Sequence, residues 1–286
     1  KLLKEGKAYP CFCTPEDLQM EREKAKAEGR PEIYAGTCAK LTLDEVNEKQ
    51  NQGLSAVYRF RTPVKTLKVE DMIRGTVTFE TKLFGDMIIA KADKSPVYNF
   101  AVVVDDVQMQ ITHVIRGEDH LSNTPKQILF YEALGYQTPQ FAHTAMMLAP
   151  DRSKLSKRHG ATSIREYFQQ GYLSEALINY LALLGWSPPE GEEILSLSEL
   201  IEQFSFERVS KSGAIFDLEK LKWVNSSWMK RLSSEDFLER SLPFYQEKGY
   251  TPDSYQHDWL LQVSQLAQSR VNTLQEVVNE VEFLLQ

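Results

Sequence analysis

The chain has 286 residues, which suits about two domains, and 42% hydrophobic residues suffice for a core in each. Thirty-three basic against 40 acidic side chains leave a net charge of −7, so the overall field repels polyanions and any nucleic-acid binding has to come from local patches. Three cysteines exclude a disulfide framework and point to a reducing, cytoplasmic compartment, while the apolar run at residues 100–104 meets Asp105 and Asp106 far short of a membrane span.

The first residues carry no methionine and the last form an amphipathic run without a stop signal, so the chain reads as an internal piece of a longer polypeptide. Thr14-Pro15-Glu16-Asp17 predicts a helix start, with the threonine hydroxyl as N-cap, proline at the first helical position and an acid at the third; the helix runs to about Gly29. Strands are predicted at residues 56–61, which alternate apolar and basic side chains and stop at Thr62-Pro63, and at Thr76-Val77-Thr78-Phe79 and Met87-Ile88-Ile89. Ile111-Thr112-His113-Val114-Ile115 predicts a buried strand ending at Arg116-Gly117-Glu118-Asp119, followed by a helix over Thr124–Leu134 that Gly135 terminates. Strand, polar loop and helix make the unit of a doubly wound sheet, whose ligands sit at the carboxyl ends of strands. From about residue 162 the pattern is helical, over 164–170, 174–184 and 197–204, with Gly171, Gly185 and Pro188-Pro189 as breaks. Residues 232–286 hold nine acidic and three basic side chains, which disfavours that stretch as a phosphate-binding face.

Four groups of residues suggest chemistry. In Lys154-Leu155-Ser156-Lys157-Arg158, two lysines three apart precede a helical region. Such a loop can aim ammonium groups at a triphosphate, whose attacked phosphate and departing pyrophosphate gain charge in the transition state; a solvated basic turn is the plainer reading of the spacing alone. Arg116 stands where a strand ends, and its planar fork suits a carboxylate, with an ion pair to Glu118 or Asp119 as the alternative. Cys11, Cys13 and Cys38 with Tyr34 offer three sulfurs and an oxygen to a tetrahedral Zn2+, or are three buried free thiols. Residues 208–231 carry six basic side chains, among them Lys211, Lys220, Lys222, Lys230 and Arg231, around Trp223 and Trp228. They form either a phosphate-contacting face or a solvated helix with core tryptophans.

The lysine loop resembles the second signature of class I aminoacyl-tRNA synthetases, in the Lys-(Leu/Ile)-Ser-Lys-Arg form of the glutamyl-tRNA synthetases. Four further blocks resemble that family in order and spacing: residues 96–106, residues 111–119, Tyr180-Leu181-Ala182-Leu183-Leu184-Gly185-Trp186, and residues 216–225. The resemblance covers residues 1–231. It implies an α/β fold: the carboxyl-side half of a class I Rossmann-like catalytic domain with an inserted α/β acceptor-stem domain, followed by an all-α stem-contact and helical-bundle region. The expected divisions are an acceptor-stem domain over 1–90, the second half of the nucleotide-binding domain over 91–150, the lysine loop and stem-contact domain over 151–231, and the start of a helical anticodon-binding domain over 232–286.

By the same resemblance the protein ligates L-glutamate to tRNA through a glutamyl-adenylate, using ATP with Mg2+, as a monomer. Lys154 and Lys157 act on the reacting phosphates, and Glu118, Asp119 and His120 border the ATP. Arg116 contacts the side-chain carboxylate of glutamate and Tyr98 lines that pocket. Arg158, Lys211, Lys220, Lys222 and Lys230 contact tRNA. The cysteine pattern resembles the zinc knuckle of some family members. Two departures stand out: the first class I signature, His-Ile-Gly-His, has no match, so the piece alone is expected to be inactive, and Val102 replaces an asparagine that some members carry four residues after the tyrosine. A glutamyl-queuosine paralogue, a glutaminyl-tRNA synthetase and a non-catalytic tRNA-binding module are the alternatives.

Overall fold

The computed structural model describes residues 1–155, 163–250 and 256–285. They divide into two compact units, Lys1–His143 and Thr144–Gln286. No helix among the described residues is long and apolar enough to cross a membrane.

In the first unit, β1 (Ala8–Cys11) pairs antiparallel with β2 (Val57–Phe60), which pairs antiparallel with β5 (Ile88–Ala90). A second sheet has the order β4 (Gly75–Glu80), β3 (Thr66–Asp71), β7 (Gln140–Thr144), β6 (His113–Gly117). β3 and β4 form a hairpin from Thr66↔Glu80 to Asp71↔Gly75, and Met72 donates its N–H to the Phe141 carbonyl of β7 at 2.8 Å. Strict alternation along β3 turns Leu67, Val69 and Asp71 inward, so a carboxylate ends an otherwise apolar row. α1 (Pro15–Ala27) starts as its capping box dictates: Thr14 Oγ1 accepts from the Asp17 N–H, and Asp17 accepts from the Thr14 N–H. α2 (Leu43–Asn51) repeats the device with Thr42 and Glu45.

α3 (Tyr98–Gln108) and α4 (Thr124–Leu134) cover the sheet, with Phe130 of α4 meeting Phe60 and Phe100 edge-on at 5.1 and 5.5 Å. α4 begins at Thr124-Pro125 and ends at Gly135, whose φ of +78° closes the last turn in the left-handed region. The strand expected to be buried at 111–115 is different in kind. β6 begins at His113 and is an edge strand, so Ile111 and Ile115 stay exposed, the latter at 56%. An edge strand has a neighbour on one side only, and its apolar content does not guarantee burial.

The second unit is helical, with α5 (Ile164–Gln169), α6 (Ser174–Leu183), α7 (Leu197–Gln203), α8 (Leu218–Met229), α9 (Ser234–Glu247), α10 (His257–Gln268) and α11 (Leu274–Leu285), and a short parallel pairing of β8 (Met147–Leu148) with β9 (Ala214–Ile215). Tyr180, Leu221, Val224, Phe237, Tyr245 and Val277 lie in its core. Two buried asparagines tie loops to helices. Asn179 accepts from the Leu195 N–H and the Trp228 indole, and Asn225 accepts from the Leu173 N–H while donating to the Asn272 carbonyl. Gly171 is required twice over: its φ is +82°, and a Cβ there would lie 2.5 Å from the Gln275 nitrogen.

Candidate functional site

Arg116 lies near the carboxyl end of β6, held by side chains of β7 and α4. Its Nε donates to His143 Nε2 at 3.1 Å, and its Nη2 donates to Thr124 Oγ1 at 2.8 Å and Gln127 Oε1 at 2.9 Å. Thr124 and Gln127 stand three apart at the start of α4, on one helix face, and the Gln127 amide donates on to Asn99 Oδ1 at 2.9 Å. Behind His143 lies Asp71, with Oδ2 2.6 Å from the ring Nδ1, while Oδ1 accepts the backbone N–H groups of Ile73, Arg74 and His143.

These contacts fix a protonation state. A guanidinium N–H only donates, so His143 Nε2 presents its lone pair and the ring proton sits on Nδ1, donated to Asp71. Burial pushes His143 below the ordinary histidine value, against the weaker pull of Asp71. Burial raises the Asp71 carboxyl, but the Arg74 N–H, the His143 ring and two more backbone N–H groups outweigh it and hold the carboxyl below its ordinary value. Burial likewise lowers Arg116, with Tyr98 and Asp106 supporting its charge.

The neighbouring predicted residues cluster here. Tyr98 opens α3 at 55% exposure, which excludes a core role, and its ring lies 6.1 Å from that of His120. Val102, one turn further, packs against the unit's apolar core. Glu118 pairs with Arg74 at 2.7 Å, and the Asp119 carboxylate lies so close to Gly117 that a Cβ there would meet it at 2.7 Å. His120 Nδ1 is 3.3 Å from the Asn123 amide.

In the second unit, Lys154 is exposed at the end of a tight loop that the Ala149 and Ser153 backbones close at 2.8 Å, with Arg152 in a left-handed conformation; the Lys154 backbone bridges to Leu148. Lys157 and Arg158 lie outside the described residues.

The three cysteines converge, with their sulfurs within 4.8 Å of one another. Cys13 Sγ is 3.5 Å from Cys38 Sγ, and the Tyr34 hydroxyl is 3.4 Å from Cys11 Sγ and 3.7 Å from Cys13 Sγ. Tetrahedral zinc with bonds of about 2.3 Å to sulfur separates its ligands by roughly 3.8 Å, so the donor set fits that ion. The Arg59 guanidinium stacks on the Tyr34 ring at 3.8 Å, so the basic residue of β2 is buried and fixes the phenol.

The family model for tRNA synthetases class I (E and Q), catalytic domain, matches residues 1–223. The chain belongs to this family. Among curated relatives, glutamate–tRNA ligase 2 of Thermoanaerobacter pseudethanolicus is 50% identical over 285 residues, covering 99% of this chain and 59% of that protein. Glutamate–tRNA ligase of a Sulfurihydrogenibium species is 51% identical over 278 residues, covering 97% and 58%. The crystal structure of a glutamate tRNA ligase from Elizabethkingia meningosepticum, in complex with its amino acid, matches with a TM-score of 0.88 at 32% identity, covering 100% of this chain and 61% of that one. The chain thus spans about three fifths of the length of the curated relatives it matches.

The basic segment of this class I synthetase chain is partly neutralised where it stands. Lys220 pairs with Glu193 at 2.5 Å and Lys222 with Glu219 at 2.9 Å. The two tryptophans divide: Trp228 is partly buried on Asn179, and Trp223 is 47% exposed. Sequence reading singled out Arg116 and named none of the side chains that hold it. Asp71, His143, Thr124 and Gln127 lie up to 45 residues from Arg116 in the chain, and no local pattern links them.

Proposed function

We propose that the protein carrying this chain is a glutamate–tRNA ligase, acting as a cytoplasmic monomer. A carboxylate oxygen of L-glutamate bonds to the α-phosphorus of ATP, the bond from that phosphorus to the oxygen shared with the β-phosphate breaks, and pyrophosphate leaves; Mg2+, when bound, would offset charge on these phosphates. A hydroxyl of the terminal tRNA ribose then takes the glutamyl group from the adenylate, giving up its proton and releasing AMP. The observation that carries this reading is the Arg116 fork at a strand's carboxyl end, oriented by His143, Thr124 and Gln127, neutral acceptors that hold its geometry without cancelling its charge.

In this reading Arg116 receives the side-chain carboxylate of glutamate and Tyr98 lines the same pocket. Glu118, Asp119 and His120 border the ATP, and Lys154 and Lys157 stabilise charge on the reacting phosphates. Arg158, Lys211, Lys220, Lys222 and Lys230 contact tRNA phosphates; Lys220 and Lys222 exchange exposed carboxylate partners of little net worth for phosphate oxygens. Cys11, Cys13, Tyr34 and Cys38 hold a structural zinc, which when bound takes the place of the thiol protons and ties β1 to the turn at Cys38. Glutamate-dependent exchange of pyrophosphate into ATP by the full-length protein tests the reading. Exchange is expected with glutamate and not with glutamine or aspartate; equal exchange with glutamine refutes it.

A further inference from the structure

Nothing about glutamate recognition by Arg116 requires a carboxylate two side chains behind it, yet Asp71 is 5% exposed and His143 is fully buried. Burying an ionised carboxylate against an imidazole opposes folding unless every acceptor and proton is used. Here they are used, and in a directed way. Asp71 Oδ1 accepts three backbone N–H groups and thereby shapes the turn between β3 and β4, a task for which an asparagine oxygen would serve. Oδ2 makes its contact with the His143 ring instead.

We propose that Asp71 and His143 are positioning residues for glutamate recognition: Asp71 fixes the imidazole proton on Nδ1, and the Nε2 lone pair so created aims the Arg116 guanidinium at the amino acid's side-chain carboxylate. The inference rests on the reading of Arg116 as the fork that receives glutamate. His143 Nε2 takes the Arg116 Nε–H at 3.1 Å and stands 3.1 Å from the Thr124 hydroxyl, which itself accepts from Arg116 Nη2 at 2.8 Å. Lone pair, hydroxyl and guanidinium thus close a ring in which each proton has one direction. The imidazole sets the guanidinium plane at Nε, while Thr124 and Gln127 set it at Nη2. The Phe141 ring lies beneath, 5.7 Å from the guanidinium carbon, and Arg74 fastens the far side of the His143 backbone by donating its Nε–H to the carbonyl at 3.2 Å.

The chain of protons predicts what a single-atom change does. In Asp71→Asn the three backbone N–H groups hold the amide oxygen in the Oδ1 place, so the amide nitrogen faces His143 Nδ1 as a donor. The ring then presents its lone pair at Nδ1 and its proton at Nε2, against the Arg116 Nε–H. Two donors confront each other and the fork turns away.

The test measures pyrophosphate exchange by the full-length protein carrying Asp71→Asn, beside Arg116→Lys, with melting curves and nitrogen-15 spectra of labelled histidine. The expected result is a KM for glutamate raised roughly 10- to 100-fold in Asp71→Asn, an unchanged KM for ATP in protein still folded at the assay temperature, and a ring proton moved from Nδ1 to Nε2. A mere turn-capping role predicts an unchanged KM for glutamate. If Arg116→Lys raises that KM and Asp71→Asn does not, the positioning role is overturned and the function stands. If Arg116→Lys also leaves it unchanged, the reading of Arg116 itself falls. The parent spectrum decides independently of how well any variant folds, since a His143 proton found on Nε2 overturns the proposal.

Discussion

Replacing Arg116 by lysine keeps the charge and removes the geometry. The guanidinium spreads its donors between His143 Nε2 on one side and Thr124 and Gln127 on the other. One ammonium reaches one side. With the amine near the Nη2 position, the fully buried His143 Nε2 loses its donor from Arg116 and keeps the Thr124 hydroxyl 3.1 Å away, so the lost hydrogen bond costs about 0.5–1.5 kcal/mol of stability in the ligand-free protein. Binding suffers separately, because with the amine held near the Nη2 position no donor stands where Arg116 Nη1 meets the carboxylate, which is left underpaired. That loss is about 2–4 kcal/mol, or roughly 30-fold to nearly 1,000-fold in the dissociation constant. Titration calorimetry with L-glutamate on the full-length protein reads the second effect, and thermal melting reads the first. An Arg116→Lys protein that melts early but binds glutamate with parental affinity would make Arg116 an anchor of the sheet and refute its place in the pocket.

Lys157→Ala should slow pyrophosphate exchange by about a hundredfold while leaving glutamate affinity intact, as a lost transition-state contact does; an effect confined to the KM for ATP would contradict that role. Elemental analysis of protein never exposed to chelator should find about one zinc per chain, and less than about a tenth of an equivalent would leave Cys11, Cys13 and Cys38 as free thiols. Gly171→Ala should destabilise the helical unit by about 2–4 kcal/mol, since it sets a Cβ at φ +82° 2.5 Å from the Gln275 nitrogen and 2.7 Å from that of Leu274; denaturant unfolding with parental stability would mean that the α5–α6 turn moves freely. His143 and Asp71 both titrate below their ordinary values of 6.5 and 3.8, so as pH falls the unfolded chain takes up these protons first. Their contribution to stability is complete above the histidine value, declines below it, and declines again in the carboxylate range. Melting curves should therefore fall from about pH 7 to about pH 5, less steeply in His143→Gln, and a melting temperature that rises on acidification would contradict the assignment.

The elements that the sequence announced are those whose local chemistry is self-sufficient. Thr14 and Asp17 cap α1 by their own side chains, and Gly135 ends α4 by its own backbone. Arg116 was legible for the same reason, as an arginine at a strand end. Its support was not. β3 went unread although Lys68 and Glu70 alternate with Leu67 and Val69 at the period of a half-buried strand, and Asp71 reads as a surface acid until the register of β3 on β4 and β7 turns it inward. His143 follows Phe141 and Ala142 in a strand with no local mark of a polar partner 72 residues away. Burial of β6 was misjudged because period and composition describe a strand's faces and not its place in the sheet; at the edge, Ile115 remains in solvent. The tryptophans show the same limit, since only helix packing separates the core role of Trp228 from the exposed Trp223.

The pocket is tested most directly by a crystal structure of the full-length protein with L-glutamate bound. An oxygen of the glutamate side-chain carboxylate should lie about 2.7–2.9 Å from Arg116 Nη1, with Tyr98 beside it and His143 still bonded to Arg116 Nε. A glutamate whose side chain is met by another cation, with Arg116 turned away from it, would contradict the assignment of this fork as the group that recognises the substrate.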